Sequence, residues 1–258
     1  MNLIDTHSHI YSEEFDEDLP EVIERARLAG VTQIFLPNVD SSTMERMLKV
    51  CRDYREYCYP MIGLHPTSVN ENYKKELAVV EQQLTTSNAY IAIGEVGLDL
   101  YWDKTYLKEQ IYAFDQQIQW ALKYDLPLVI HSRDAFEQIY EVMRPYKDTP
   151  LRGIFHSFTG TAEEANRLLE YDKFLLGING VVTFKNSVLP ESLKSVPIER
   201  IVLETDAPYL TPVPYRGKRN ESAHLKYTLM KVADIYMQSP EFIAEQTSAN
   251  AFKVFGLP

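Results

Sequence analysis

The chain has 258 residues, of which 45% are hydrophobic and 24% charged, enough apolar content for a sizeable globular core. Its formal net charge of -11 disfavours sequence-blind attraction to nucleic acid, because a polyanion repels phosphate, so any such contact must be local. No segment approaches about eighteen consecutive apolar residues, and no basic region precedes an apolar stretch at the N-terminus. We therefore expect a cytoplasmic protein that does not associate with membranes, with Cys51 and Cys58 as reduced, structural thiols.

Short apolar runs alternate with helical patterns along the chain. The first predicted strand covers residues 3–7, and a predicted helix over residues 19–29 follows, with Asp18 as its cap and Gly30 as its stop. Strands over residues 33–38, 59–64 and 90–95 precede a long helix over residues 106–124. Strands over residues 128–131 and 153–156 lead to a capping box at residues 161–164. Strands over residues 174–178 and 201–204 complete a set of eight.

This alternation predicts a parallel sheet covered by helices, an α/β protein. Eight strand-helix units in 258 residues fit a closed (β/α)8 TIM barrel, whose active site lies at the C-terminal ends of the strands. No linker rich in Ser and Gly or in charge divides the chain, so residues 1–258 are expected to form one domain.

Polar residues with metal-binding side chains cluster at the predicted strand ends. A single histidine at such a position is more often structural, but five of the six histidines lie within two residues of a predicted end. Only His224 does not. Glu95 and Asp206 belong to the same predicted rim. The five histidines are His7, His9, His65, His131 and His156.

Imidazole and carboxylate ligands without a thiolate suit Zn, Mn, Fe or Co, and Mg where carboxylates and water dominate. Six candidate ligands exceed the three protein ligands of one catalytic zinc, so two ions are expected. Ions roughly 3.5–4 Å apart need a bridging carboxylate, for which Glu95 is the natural candidate, and such a pair activates water for hydrolysis. The six candidates are His7, His9, Glu95, His131, His156 and Asp206.

Seven motifs follow one another over nearly the whole chain. They are IDTHSH at residues 4–9, IGLHP at 62–66, AIGEVGLD at 92–99, IHSR at 130–133, FHSFTG at 155–160, GVVTFKN at 180–186 and LETDAPYL at 203–210, followed by PVPYRGKRN at 212–220. In this order they resemble the TatD family of metal-dependent deoxyribonucleases. Two departures from the family pattern are Ser157, where many members carry Cys, and Thr67, where many carry a second His. Neither removes a ligand, so they concern substrate preference.

The resemblance implies an amidohydrolase-type TIM barrel that cleaves DNA phosphodiesters. It implies a Mg-dependent 3′ to 5′ exonuclease acting best on single strands, with Mn or Zn as alternative ions. It also implies how the two divalent ions are held. His7, His9, Glu95 and Asp206 would hold one ion, and Glu95, His131 and His156 the other.

Three further residues are candidates for catalytic roles. Asp206 could coordinate metal and also take a proton from the attacking water. Glu204, two residues earlier, is a competing base or an orienting group, and the sequence does not separate the two. His65 is expected to contact phosphate or transfer a proton, rather than only to pack before Pro66.

Basic and aromatic residues past the strand ends are candidates for substrate contact. Solvation is the usual role of a charge run, but with the family resemblance we expect phosphate binding by Arg216, Lys218 and Arg219. Arg133 and Lys185 are weaker candidates of the same kind. Tyr101 and Trp102 could stack on unpaired bases or be buried beneath their loop.

Two other functions fit the same residues. One is a metal-dependent hydrolase of small amides, lactones, phosphoesters or aminoacyl esters, since fold and metal site are shared across unrelated chemistries. The other is a non-catalytic barrel that binds nucleic acid or protein and keeps metal for stability. The oligomeric state is left open.

Overall fold

The computed structural model describes residues 2–256. Eight strands alternate with helices along the chain. The strands are β1 (Leu3–Asp5), β2 (Val31–Leu36), β3 (Cys58–Pro60), β4 (Ile93–Asp99), β5 (Leu128–Arg133), β6 (Gly153–Phe155), β7 (Phe174–Ile178) and β8 (Ile201–Leu203). The helices are α1 (Leu19–Leu28), α2 (Ser41–Asp53), α3 (Tyr73–Thr86), α4 (Leu107–Tyr124), α5 (Phe136–Met143), α6 (Ala162–Leu168), α7 (Leu189–Ser192), α8 (Leu225–Tyr236) and α9 (Pro240–Phe255).

All neighbouring strands pair in parallel, in the orders β1-β2-β3 and β4-β5-β6-β7-β8. Backbone hydrogen bonds join the two sheets at both pairs of edges. At one seam Gly94 N–H donates to Ile62 O at 2.9 Å, and at the other Thr6 N–H donates to Leu203 O at 3.2 Å. The predicted α/β fold and (β/α)8 TIM barrel are confirmed.

A buried carboxylate strengthens the seam between β1 and β8. Asp5 accepts the backbone N–H of Thr205 at 2.9 Å and its hydroxyl at 2.6 Å, and all three groups are buried. Because a buried carboxylate is costly unless it is hydrogen-bonded, this pairing fixes where the two strand ends meet. His7 and Asp206 each lie one or two residues beyond these anchors.

One buried apolar residue from each strand, or from directly beside it, forms the interior layer of the barrel. These residues are Ile4, Phe35, Met61, Ala92, Val129, Ile154, Leu175 and Val202. Helix α9 packs on this layer through Ala251, Val254 and Phe255. Since Ser248 of α9 donates to Asn2 O, just before β1, α9 covers the N-terminal end of the barrel. The C-terminal rim stays open for a site.

One of the two predicted helix caps is confirmed. Asp18 precedes α1, but its side chain accepts no N–H of that helix. Thr161 Oγ1 accepts the N–H of Glu164 at 3.3 Å, and Glu164 Oε2 accepts the N–H of Thr161 at 2.7 Å, which confirms the capping box. Helix α1 ends at Leu28, one residue earlier than predicted, and Gly30 follows with a φ of 87°. No helix of residues 2–256 has both the length and the apolar character that crossing a membrane requires.

The prediction that β4 ends at Glu95 is wrong. The strand begins at Ile93 and continues to Asp99, so Glu95 lies inside it. The added residues pair with β5, with Gly97 opposite His131 and Asp99 opposite Arg133. A Cβ atom on Gly97 would lie 2.1 Å from His131 O, so only glycine permits this approach. Residues 90–92, which were predicted to belong to this strand, precede it.

Candidate metal centre

His7 and His9 leave the end of β1 with their Nε2 atoms 3.3 Å apart. His7 Nε2 lies 3.1 Å from Glu95 Oε2 and 3.8 Å from Asp206 Oδ1. His9 Nε2 lies 3.5 Å and 3.6 Å from the same two oxygens. Four metal-binding atoms, from the ends of β1 and β8 and from within β4, therefore converge on one point.

A tyrosine fixes the tautomer of His9. The Tyr11 hydroxyl donates to Pro37 O at 2.6 Å, so its oxygen is free to accept from His9 Nδ1, which lies 2.9 Å away. A neutral His9 with its proton on Nδ1 presents the Nε2 lone pair to the converging carboxylates. The sequence analysis missed Tyr11, although its spacing of two from His9 repeats that of His7 and His9.

His131 is held between two carboxylates of β4. Its Nδ1 lies 2.8 Å from Glu95 Oε1, and its Nε2 lies 2.9 Å from Asp99 Oδ2. Asp99 is buried and was not predicted as a site residue. Alternation along the strand was the available signal, because Glu95 and Asp99 are four residues apart and so share a face.

His156 reaches the same centre from the end of β6. Its Nε2 lies 3.7 Å from both Glu95 Oε1 and Asp206 Oδ1, and its ring stacks on His7 with centroids 3.4 Å apart. Its Nδ1 lies 2.9 Å from Glu204 Oε1. Glu204 also accepts the N–H of Ser157 at 2.6 Å. The buried Glu204 carboxylate is therefore held against His156 and Ser157.

Asp206 is held in an unusual backbone conformation. Its φ of 56° is in the left-handed region, which Asp tolerates better than most residues. Its N–H donates to His7 O at 2.9 Å, which holds the residue against the end of β1. The Asp206 side chain is 15% exposed whereas that of Glu204 is 1% exposed, so only Asp206 offers an accessible carboxylate.

Three groups of side chains have ligand atoms close enough to hold an ion, and Glu95 belongs to two of them. Its Oε2 faces His7 and His9, and its Oε1 faces His131. Glu95 would thus contribute an oxygen to each of these two groups if both held an ion. The groups are His7, His9 and Glu95; His7, His156 and Asp206; and His65, Glu95 and His131.

The buried charges of the centre shift the pKa values of its members. Burial raises the pKa of Glu95, but His65, His7 and His156 outweigh burial and hold it well below its usual value. Burial lowers the pKa of His7 well below its usual value. Burial also lowers the pKa of His131, yet hydrogen bonds to Asp99 and Glu95 outweigh it and raise this pKa to about 9.

Burial shifts the pKa values of His156 and Asp206 in opposite directions. Burial lowers the pKa of His156, but the charges of Glu204, Asp206 and Glu95 outweigh burial and raise it to about 10. Burial raises the pKa of Asp206 to about 6 against the opposing charge of His156. In the protein alone, protons on histidines thus balance the buried carboxylates. Divalent cations fit the same donor set, because they can take the place of those protons between imidazole and carboxylate groups.

His65 differs from the other rim histidines in its tautomer. Its Nδ1 accepts the backbone N–H of Thr67 at 3.1 Å, so the neutral ring carries its proton on Nε2. That Nε2 lies 3.2 Å from Glu95 Oε1. Burial lowers the pKa of His65, which favours the neutral ring. His65 is therefore arranged as a hydrogen-bond donor rather than as a metal ligand.

The predicted phosphate-binding residues have different surroundings. Arg219 donates to both oxygens of Asp18, at 2.8 and 2.7 Å, so its guanidinium is already committed. The guanidinium of Arg216 lies 3.8 Å from the centre of the Phe184 ring. Arg216, Lys218, Lys185 and Arg133 have exposed side chains, and remain available to a ligand.

A family model described as TatD related DNase matches residues 4–256 of this chain. The chain belongs to the TatD-related DNase family. The enzyme class expected from the sequence, a hydrolase, is confirmed by this membership.

Relatives of the TatD family match over their whole length. The chain is 39% identical over 254 residues to an uncharacterized metal-dependent hydrolase, YabD of Bacillus subtilis, covering 98% of each chain. It is 33% identical to the 3′-5′ ssDNA/RNA exonuclease TatD of Pantoea ananatis, covering 99% of this chain and 100% of that protein. The crystal structure of the TatD homologue YJJV from Escherichia coli matches with a TM-score of 0.92 at 26% identity, covering 99% of this chain and 98% of that one.

Proposed function

We propose that this protein is a two-metal hydrolase that cleaves DNA phosphodiester bonds, as a 3′ to 5′ exonuclease on single strands. The observation that carries the proposal is the position of Glu95, whose two oxygens face separate histidine groups 3.1 Å and 2.8 Å away. A bridging carboxylate between two ions is the core of many phosphodiester-cleaving sites. The name of the Pantoea ananatis relative supports the choice of substrate.

We assign His7, His9, Glu95 and Asp206 to one ion, and Glu95, His131 and His156 to the other. Two bound divalent ions supply an activated water and charge that stabilises the leaving oxygen. Mg²⁺ is the proposed ion, with Mn²⁺ and Zn²⁺ as the alternatives to test.

Asp206 is the proposed general base. It lies beside the imidazoles that hold the ions, and its side chain is 15% exposed, so it can meet a water molecule. Glu204 is the proposed positioning residue of His156, because it is buried and its Oε1 lies 2.9 Å from His156 Nδ1. Asp99 and Tyr11 hold His131 and His9 in the same manner.

His65 is proposed to donate a hydrogen bond from its Nε2–H to a phosphate oxygen of the substrate. The backbone N–H of Thr67 fixes that proton on Nε2, and Glu95 Oε1 at 3.2 Å marks where the donor points. Phosphate contact outside the metal site is assigned to Arg216, Lys218, Lys185 and Arg133, whose side chains are exposed. We remove Arg219 from this role because Asp18 already pairs with it.

The deciding experiment is a time course on 5′-labelled and 3′-labelled DNA, single- and double-stranded, after chelation and re-addition of Mg²⁺, Mn²⁺ or Zn²⁺. We expect mononucleotides to be released from the 3′ end of single strands, with activity lost on chelation and restored by metal. Glu95→Gln serves as the inactive control, because it removes charge with little change of shape. An RNA arm of equal sequence measures the sugar preference.

Other outcomes would replace the proposal. Intact DNA under all three metals, with hydrolysis of small amides, lactones, phosphoesters or aminoacyl esters, would assign a small-molecule hydrolase. If Glu95→Gln lowers thermal stability and no substrate is turned over by the parent protein, a non-catalytic barrel would be the better account. The cytoplasmic location and the single domain over residues 1–258 stay predictions.

A further inference from the structure

Two large aromatic side chains stand exposed directly after β4. Tyr101 is 54% exposed and Trp102 is 69% exposed, with ring centroids 4.9 Å apart and planes at 88°. The sequence left open whether they pack beneath their loop, and the structure places them in solvent. Two adjacent exposed rings form a contiguous apolar patch, the kind of surface that marks a ligand or partner site.

The loop that carries the two rings is tied to the metal centre. Asp99 Oδ1 accepts the backbone N–H groups of Tyr101 and Trp102 at 3.0 and 3.3 Å. The other oxygen of the same carboxylate lies 2.9 Å from Nε2 of His131. One side chain thus fixes the position of the aromatic pair relative to a proposed ligand of the ions.

A cation completes the cluster from the neighbouring strand. The guanidinium carbon of Arg133 lies 3.8 Å from the centre of the Tyr101 ring and 5.2 Å from that of Trp102. The two loops are also joined by a hydrogen bond from Leu100 N–H to Arg133 O at 2.9 Å. The result is a planar cation stacked over the Tyr101 ring and close to the Trp102 ring at the rim.

We propose that Tyr101, Trp102 and Arg133 form a stacking platform for an unpaired base of single-stranded nucleic acid. The inference rests on the proposed nuclease function and names how its substrate is selected. An unpaired nucleotide offers an aromatic face beside an anionic phosphate, which matches aromatic rings beside a guanidinium. A duplex hides its base faces within the stack, so the platform discriminates against it.

The platform also reconciles substrate binding with the acidity of the chain. A net charge of -11 gives no long-range attraction to nucleic acid. Base stacking needs no such field, because aromatic contact is local and only weakly dependent on charge. Loss of one stacked base is expected to weaken binding about tenfold, within the range measured for base-aromatic contacts.

The first test measures binding without turnover. Trp102 fluorescence is followed while the Mg²⁺-loaded protein is titrated with a phosphorothioate oligodeoxynucleotide, its ribonucleotide counterpart, or a duplex. Trp120, the other tryptophan, is 4% exposed and gives a constant background. We expect quenching by single strands, loss of the quenching signal in Trp102→Phe, and about tenfold weaker binding in Tyr101→Ala. Equal quenching by DNA and RNA would support recognition of the base; equal quenching by the duplex would overturn the platform.

The second test separates the platform from catalysis. The double variant Tyr101→Ala, Trp102→Ala should raise KM for single-stranded DNA about tenfold or more. It should leave cleavage of an abasic single strand of equal length unchanged, because that substrate has no base to stack. Tyr112→Ala is the matched control, since this tyrosine is 51% exposed on α4. Unchanged DNA kinetics in the double variant would overturn the platform. Quenching without any phosphodiester cleavage would instead overturn the nuclease function and keep the platform.

Discussion

Asp99 Oδ2 lies 2.9 Å from Nε2 of His131, on the side of the imidazole away from Glu95. This carboxylate-histidine pair orients a proposed metal ligand and, through its second oxygen, the aromatic loop. The site is therefore organised by residues that need not touch the ions themselves.

Asp99→Asn should weaken metal binding by roughly 10- to 100-fold, because the amide keeps the shape of the side chain but loses the charge that holds the His131 ring. The measurement is a competition titration against a fluorescent metal chelator. Asp103→Asn, four residues further along the chain and exposed, is the matched control. Wild-type metal affinity in the Asp99 variant would show that the contact is only structural.

Glu204→Gln and Asp206→Asn should differ in whether metal rescues them. Glu204 acts through His156, so excess metal should restore much of the lost rate. Asp206 is the proposed base, so its variant should lose roughly 10²- to 10⁴-fold in kcat at every metal concentration. Both rates are measured across a metal titration. The reverse pattern would exchange the two roles.

His65→Ala should lower kcat by roughly 100-fold while the number of metal ions bound per chain stays the same, because the ring donates a proton rather than a lone pair. Metal content by elemental analysis accompanies the kinetics. Thr67→Ala tests how the tautomer is held, since it removes the hydroxyl 2.7 Å from His65 Nδ1 and keeps the backbone N–H that donates to the same atom. Loss of an ion in His65→Ala would make this residue a ligand.

Arg219→Ala and Lys218→Ala should have opposite consequences. Arg219→Ala should lower the unfolding free energy by up to about 1 kcal/mol, with little change in KM, because Arg219 is paired with Asp18. Lys218→Ala should raise KM for DNA and weaken the salt dependence of KM, with unchanged stability, because Lys218 is exposed. Denaturant melts and steady-state kinetics on the same preparations check both. A large rise of KM in Arg219→Ala would return that residue to the substrate contacts.

The two cysteines should resist thiol reagents in the folded protein. Burial raises the pKa of Cys51 to about 12 and that of Cys58 well above its usual value. At pH 8 a pKa near 12 leaves a thiolate fraction on the order of 1 in 10⁴. An aromatic disulfide reagent should therefore react slowly with the native protein. After unfolding it should react rapidly with both thiols. Rapid reaction of native thiols would contradict this.

The sequence predicted the fold because apolar periodicity is local information. Eight runs alternating with helical patterns identify eight strands, and β7 has the predicted bounds, Phe174–Ile178. The bounds of β4 were wrong, because hydrogen bonding to β5 extends it through Gly97 to Asp99, a pairing that composition does not show. The histidines past the strand ends were recognised because the same local apolar pattern shows where each strand ends.

Only the tertiary structure decided what each of these residues touches. Tautomers follow from partners distant in the chain, such as Pro37 for Tyr11 and thereby His9. In the sequence nothing separates Arg219 from its basic neighbours. In the structure it is paired with Asp18, 201 positions away. The sequence thus determined the barrel and the kinds of side chain at its rim, since these depend on local pattern. Proton positions, charge pairing and exposure depend on contacts that folding alone creates.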